Sequence, residues 1–295
     1  MMQYFGAIEA GGTKFNCAIF NDAREILAAC RIPTTHPQTT LHQAAAFFQT
    51  YKHDYPLAAL GIASFGPLDL DPKSSEYGYI TRTPKPDWSH TPLLDFFKQQ
   101  CGCPIRIDTD VNGAALAEYQ WGAAQHTDVA VYLTIGTGVG GGIIINGKPL
   151  HGLVHPEIGH MLVDAPPDVE GVCPFHGNCV EGLASGFALN HIWQQPAETL
   201  PIEHKAWQIE VGVLSQLCHN LMMTLSPQKI LMGGGVMAKT GLLERVQAAT
   251  DSSLAKYISL PSHQHISDII CSPYFEQDAG LYGGFALAQS ALVNL

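Results

Sequence analysis

Hydrophobic and polar residues alternate along this chain in two registers, and two segments share one shape. "YFGAIEAGGTKFNCAIFND" runs from Tyr4 to Asp22, and "VAVYLTIGTGVGGGIIING" from Val129 to Gly147. Each is an apolar arm, a Gly-rich turn carrying Thr, and a second apolar arm. The first arm of each is too apolar for a half-exposed surface, so both predict central strands. Two such hairpins about 125 residues apart point to two similar domains made by duplication. Between them the period changes repeatedly. "LHQAAAFFQTYK" predicts a helix, "LAALGIASFG" a strand entering a turn, and "SHTPLLDFFKQQCG" a helix opened by Pro and closed by Gly. "PIRIDTD" then predicts a strand and "VNGAALAEYQWGAA" a helix, a βαβα order that implies an α/β domain. After the second hairpin, residues 151 to about 181 show almost no periodicity, as expected of a functional loop or a disordered one. Helices return with "SGFALNHIW" and "KAWQIEVGVLSQLCHNLMMTL". The strand "QKILMGGGV", a late strand "DIICSPYF" and the terminal helix "DAGLYGGFALAQSALVNL" complete the chain.

Composition narrows the function. With 295 residues, 46% of them hydrophobic, the chain can build a large core. Its net charge of −11, with no run of Lys or Arg, excludes non-specific binding to nucleic acid or anionic membrane. No apolar run approaches the roughly 18 residues of a membrane span. The first residues read as a strand rather than a targeting signal. A soluble cytoplasmic protein is expected. Eight cysteines scattered over this length do not form a disulfide framework.

Three Gly-rich turns follow apolar strands: "EAGGTK" (Gly11, Gly12, Thr13 and Lys14 at its tip), "GTGVGGG" (from Gly136, Thr137 and Gly138) and "GGGVM" (Gly233, Gly234, Gly235, Val236, Met237). Glycine lets backbone N–H groups approach a phosphate, Thr adds a hydroxyl and Lys a charge. One such turn is ordinary hairpin structure, whereas three predict a nucleotide. The Walker spacing is absent. "GTGVGG" leads into a strand rather than a helix, so it is no Rossmann turn either.

Two further clusters carry chemistry. Asp110 follows the strand "PIRID" and opens the next helix, a position suited to a cleft carboxylate or to a plain N-cap. Asp108 reads as structural. "CPFHGNC" places Cys173, His176 and Cys179 at even spacing, three soft ligands where tetrahedral zinc takes four. On spacing alone the fourth is His160, His155 or His151.

Taken in order, "EAGGTK", "IDTDVNGAALAE", "LTIGTGVGGG", "HPEIGH", "CVEGLASG" and "GGGVM" resemble the ROK family of sugar kinases and repressors, and the resemblance covers nearly the whole chain. "GIASFGPLDL" and "TPKPDWSHTPLL" look most like its bacterial fructokinase branch. The resemblance implies a duplicated actin-like, ribonuclease H-like α/β fold with ATP and sugar in the cleft between two domains. The boundaries expected are 1–117, with helix 278–295 packing back on it, and 118–277. It implies Asp110 as general base toward a sugar hydroxyl. Lys14 and Thr137 would serve as phosphate neighbours, with Thr134 and Gly233 to Met237 on the nucleotide side. Glu157, His160 and Glu181 would be sugar contacts, and His160 the fourth zinc ligand with Cys173, His176 and Cys179. Where the family carries a middle cysteine this chain has His176, and where it carries Asn-Asp this chain has Thr109-Asp110. The implied activity is ATP- and Mg²⁺-dependent phosphorylation of fructose to fructose 6-phosphate by a zinc-containing homodimer. The alternatives are a glucose, mannose or N-acetylmannosamine kinase, or a non-catalytic sugar-sensing regulator.

Overall fold

The computed structural model describes residues 2–293. Strands β1 (Tyr4–Ala10) and β2 (Lys14–Asn21) form the first hairpin, followed by β3 (Ile26–Pro33), α1 (Pro37–Thr50), β4 (Leu57–Ser64), α2 (Leu93–Gln100), β5 (Ile105–Thr109) and α3 (Asp110–Trp121). The second hairpin is β6 (Val129–Ile135) and β7 (Val139–Ile145), with a two-residue β8 (Lys148–Pro149). After the aperiodic stretch come α4 (Val180–Ala184), α5 (Gly186–Trp193), α6 (Lys205–Leu225), β9 (Lys229–Gly233), α7 (Leu242–Leu254), α8 (Ile266–Ile269), β10 (Ile270–Cys271) and α9 (Ala279–Val293).

The strands make two sheets, in the orders β3-β2-β1-β4-β5 and β8-β7-β6-β9-β10. In the first, β1 runs antiparallel to β2 and parallel to β4. In the second, β6 runs antiparallel to β7 and parallel to β9. Both are mixed sheets flanked by helices, one topology used twice, as in the duplicated actin-like, ribonuclease H-like fold. By contacts, the chain divides into one unit of residues up to 120, 149–155 and 277 onward, and a second of 121–148 and 156–276. The segment 149–155 therefore packs within the first unit although the second flanks it on both sides in sequence.

The first sheet is central in the sense its apolar arms require: Ile8, Ala10, Phe15, Cys17 and Ile19 are buried with Leu60 and Ile62. Helix α9 lies against β1 and β4, and its ring Phe285 stacks on Phe20 at 4.7 Å and meets Phe5 edge-on at 5.5 Å. Burying a side chain of that size contributes roughly 2–3 kcal/mol. The approach is close enough that a Cβ on Gly61 would stand 1.9 Å from the Gly284 carbonyl oxygen, which requires glycine there. The last two residues of the predicted terminal helix lie outside the described residues.

Two elements depart from the sequence pattern. β3 was not legible: its sequence ILAACRIP is an edge strand with one solvated face and only a weak alternation. The late segment "DIICSPYF" gives only two strand residues, because Asp268 and Ile269 belong to α8, whose N-terminus Asp268 fixes in a capping box with His265, and Pro273 follows the strand. No disulfide joins any of the eight cysteines, and no described helix is long and apolar enough to cross a membrane.

Candidate active site and metal centre

In the first unit, β5 delivers two carboxylates at its C-terminal end. The hydroxyl of Thr109 accepts the backbone N–H of Asn112 at 3.2 Å, the geometry of an N-cap to the third helical residue. Thr109 thus caps α3, and the half-buried Asp110 stands at its first helical position, where the helix dipole favours a carboxylate. Asp110 Oδ1 accepts the N–H of Val111 at 2.9 Å. The N-cap alternative that the sequence left open for Asp110 is filled by its neighbour.

Asp108 is buried at 2% exposure. Its Oδ1 accepts from the Thr109 N–H at 2.8 Å and from Asn112 Nδ2 at 2.7 Å, and His151 Nε2 stands 3.1 Å away. The hydrogen bond it donates to that carboxylate raises the His151 imidazole above its usual range. The same unit holds the first Gly turn, where the Gly11 N–H donates to the Lys14 carbonyl at 2.9 Å and the Thr34 hydroxyl to the Gly11 carbonyl at 2.7 Å. Beneath it, Glu9 accepts from Asn16 Nδ2 at 2.6 Å, while burial pushes its carboxyl up.

In the second unit, the aperiodic stretch is organised by side chains rather than by backbone ladders. One ligand atom each from His160, Cys173, His176 and Cys179 fall within 4.8 Å of one another. His160 Nδ1 faces both sulfurs, at 3.8 Å from Cys173 and 3.6 Å from Cys179, and His176 Nδ1 is 3.7 Å from Cys173. Burial pushes the Cys179 thiol up to about 11. Two sulfurs and two imidazoles converging on one point form a donor set that fits a structural metal ion.

His155 and His151, the rival ligands on spacing, are placed elsewhere. His155 Nε2 accepts the Leu68 N–H at 3.2 Å, and His151 meets Asp108. Both contacts lie within the first unit.

The other nitrogen of His160, Nε2, is 4.0 Å from Glu181 Oε1. Glu181 follows Cys179 into α4, whose N-cap is the Cys179 sulfur accepting from the Gly182 N–H at 3.3 Å. The opposite oxygen of Glu181 accepts the Val139 N–H at 2.9 Å and lies so close to the second Gly turn that a Cβ on Gly138 would meet it at 2.6 Å. Glu157 is exposed and starts the single 3₁₀ turn that carries His160, whose N–H donates to the Glu157 carbonyl at 3.0 Å. Glu157, His160 and Glu181 are thus tied to one short stretch of backbone and to the metal-type cluster.

An open pocket of about 930 Å³ in the second unit is lined by Gly136 and Thr137 of the second Gly turn and by Gly235 and Val236 of the third. Gly233 is buried in β9, where it pairs with Thr134. Thr134, Gly138, Gly233, Gly234 and Met237 are not among the lining residues, and Gly11 to Lys14 belong to the other unit. The sequence reading missed Phe187, Asn190, Trp207 and Lys239 on the pocket wall. Phe187 is 57% exposed in the first turn of a helix, and Lys239 lies 5.1 Å over the Trp207 ring. A large aromatic on the polar face of "SGFALNHIW" was the available signal.

The ROK family profile matches residues 5–291. A fructokinase from Zymomonas mobilis is 46% identical over 294 residues, covering 97% of each chain. Among solved structures, a ROK hexokinase from Thermus thermophilus superposes with a TM-score of 0.81 at 24% identity, over 100% of both chains. A ROK family glucokinase from Streptomyces griseus, in complex with glucose and AMPPNP, gives 0.73 at 25% identity, over 98% of this chain and 100% of that one.

Proposed function

From the premise that the chain belongs to the ROK family, we propose that it is an ATP-dependent hexose kinase acting on fructose to form fructose 6-phosphate. The observation that carries this reading is the end-to-end match at 46% identity to a fructokinase, against 25% to the glucokinase. The geometry supports it. Asp110, relieved of capping by Thr109, takes the proton of the fructose 6-hydroxyl as that oxygen bonds to the γ-phosphorus and the bond to the ADP oxygen breaks. Gly136, Thr137, Gly235 and Val236 line the nucleotide pocket. The Gly11–Lys14 turn offers backbone N–H groups and one cation to the phosphates. Mg²⁺ would neutralise phosphate charge during transfer.

Glu157, Glu181 and the Nε2 side of His160 suit the hydroxyls of a polyol, because a carboxylate accepts two O–H groups at once. Zinc is the metal that the donor set of two sulfurs and two imidazoles fits. It would be held by Cys173, Cys179, His176 and His160 Nδ1, with no protein ligand position left over for a catalytic water. The same reading carries a homodimer with it.

An ADP-release assay over a panel of hexoses tests the proposal. Fructose should give the largest kcat/KM. A higher value for glucose, mannose or N-acetylmannosamine overturns the fructokinase assignment, and no turnover on any hexose overturns the kinase.

A further inference from the structure

The Asp108 carboxylate is more heavily bonded than a structural strand residue needs. It collects the peptide N–H immediately before Asp110, the amide of Asn112 one turn into α3, and the imidazole of His151. Asn112 Nδ2 and His151 Nε2 lie 3.4 Å apart, two donors converging on one acceptor rather than a bond between them. Asn112 Oδ1 is buried with no hydrogen-bond partner among the described residues, so the amide's orientation follows from the carboxylate. Two of the three contacts belong to the β5–α3 junction itself. The third, His151, comes from the segment 149–155, which His155 also anchors through the Leu68 N–H.

We propose that His151 is a positioning residue for the general base: paired with buried Asp108, it completes a network with Asn112 that fixes the β5–α3 junction and neutralises the charge two residues from Asp110. This rests on the reading of Asp110 as base. A buried carboxylate left alone is costly and repels a neighbouring one. With His151 charged and in contact, the pair is neutral as seen from Asp110, and Asp110 keeps the proton affinity its helix position gives it. The other charged or titratable groups facing this pair are Arg106, one strand period earlier, and Tyr77, whose phenol is pushed up by burial with Asp108 adding to it. Neither is hydrogen-bonded to Asp108 among the described residues, so His151 is the cation that contacts it.

The test is a pH profile of kcat/KM for fructose at saturating ATP. His151→Gln strands the Asp108 charge. It should lower kcat about 10-fold, leave both KM values within about twofold, and move the acidic limb up by about half a unit to one unit. Asp108→Asn combined with His151→Gln removes both charges and should return the limb to its wild-type position. His151→Lys, which keeps a cation and a donor, should leave the limb unmoved. A merely structural histidine would lower stability without moving the limb. The proposal is overturned if His151→Gln keeps wild-type kcat and limb, or if its defect lies in KM alone. If that variant does not fold, the double variant and His151→Lys decide, and a shifted limb in either overturns the proposal. Asp110→Asn separates the two readings. If it retains full turnover, the base assignment fails and this inference with it. If it is inactive while His151→Gln is wild type, only the inference fails.

Discussion

The two sheets share a strand order but differ at their edges. In the first, the outer strands β3 and β5 have eight and five residues, whereas their counterparts β8 and β10 have two each. A full-length β5 ends where a helix begins, and that corner presents Asp108 and Asp110 on a rigid element. The shortened β8 releases the chain into about thirty residues without a regular ladder. Such a segment loses conformational entropy on ordering with little backbone bonding in return. The His160–Cys173–His176–Cys179 cluster gathers donors from both ends of it, and the metal proposed there would cross-link the backbone on which Glu157 and Glu181 stand. One topology therefore supports two modes of precision: a strand–helix junction in one unit, a converging Cys/His side-chain cluster in the other.

The sharpest way to break that comparison is to remove the chemistry of the first unit alone. Asp110→Asn should lower kcat by about 10²- to 10⁴-fold while metal content and melting temperature stay at wild-type values. Thr109, not Asp110, caps α3, so the helix keeps its cap. A variant that loses activity only in proportion to a loss of folded protein would show that the carboxylate is structural.

Cys179→Ser strikes the other unit. It should abolish zinc binding measured by elemental analysis, and cost about 2–4 kcal/mol by analogy with opening a cross-linked loop. That corresponds to a melting temperature lower by roughly 5–10 °C. Proteolytic nicking should appear between residues 161 and 178, and residual activity should show a raised KM for fructose. Zinc stoichiometry equal to wild type would defeat the ligand assignment. The same loss from His176→Ala would sharpen it, since His176 Nδ1 lies 3.7 Å from the Cys173 sulfur.

How much of this was legible beforehand follows the physics of each element. Both hairpins, β5, α3 and α9 were readable because their burial imposes a period on the sequence. β3 and α8 were not, since a solvated edge and a four-residue helix impose none. At the site, the Cys/His residues stood out because rare residue types at fixed spacing mark themselves, whereas Asp110 was singled out by the family resemblance and not by spacing. The roles of Thr109 and His151 did not stand out, because they depend on contacts no spacing encodes: a cap bond to Asn112, and a pairing across 43 residues. The pocket wall formed by Phe187, Asn190, Trp207 and Lys239 was hidden for the same reason. It assembles from segments whose local patterns report only helices.

A last probe touches neither centre and should have the smallest effect on activity. Glu210 lies inside α6 in the second unit, fully buried, with no hydrogen-bond partner for either oxygen among the described residues. Burial holds its carboxyl protonated well above the usual carboxylate range. The folded protein therefore binds a proton that the unfolded chain releases above its ordinary pKa of about 4.5. Stability contributed by the protonated form is present at acidic pH and declines as pH rises toward the folded value, by about 1.4 kcal/mol per pH unit in that window. Glu210→Gln abolishes this dependence: melting curves of the two proteins should converge near pH 4.5, and the variant should become progressively more stable than wild type toward neutrality. Turnover and zinc content should not move. If the two melting curves stay parallel from pH 5 to 8, Glu210 is not the neutral buried acid its surroundings require. If the variant also loses activity, the helix takes part in the site, and the division of duties between the two units is less complete than their sheets suggest.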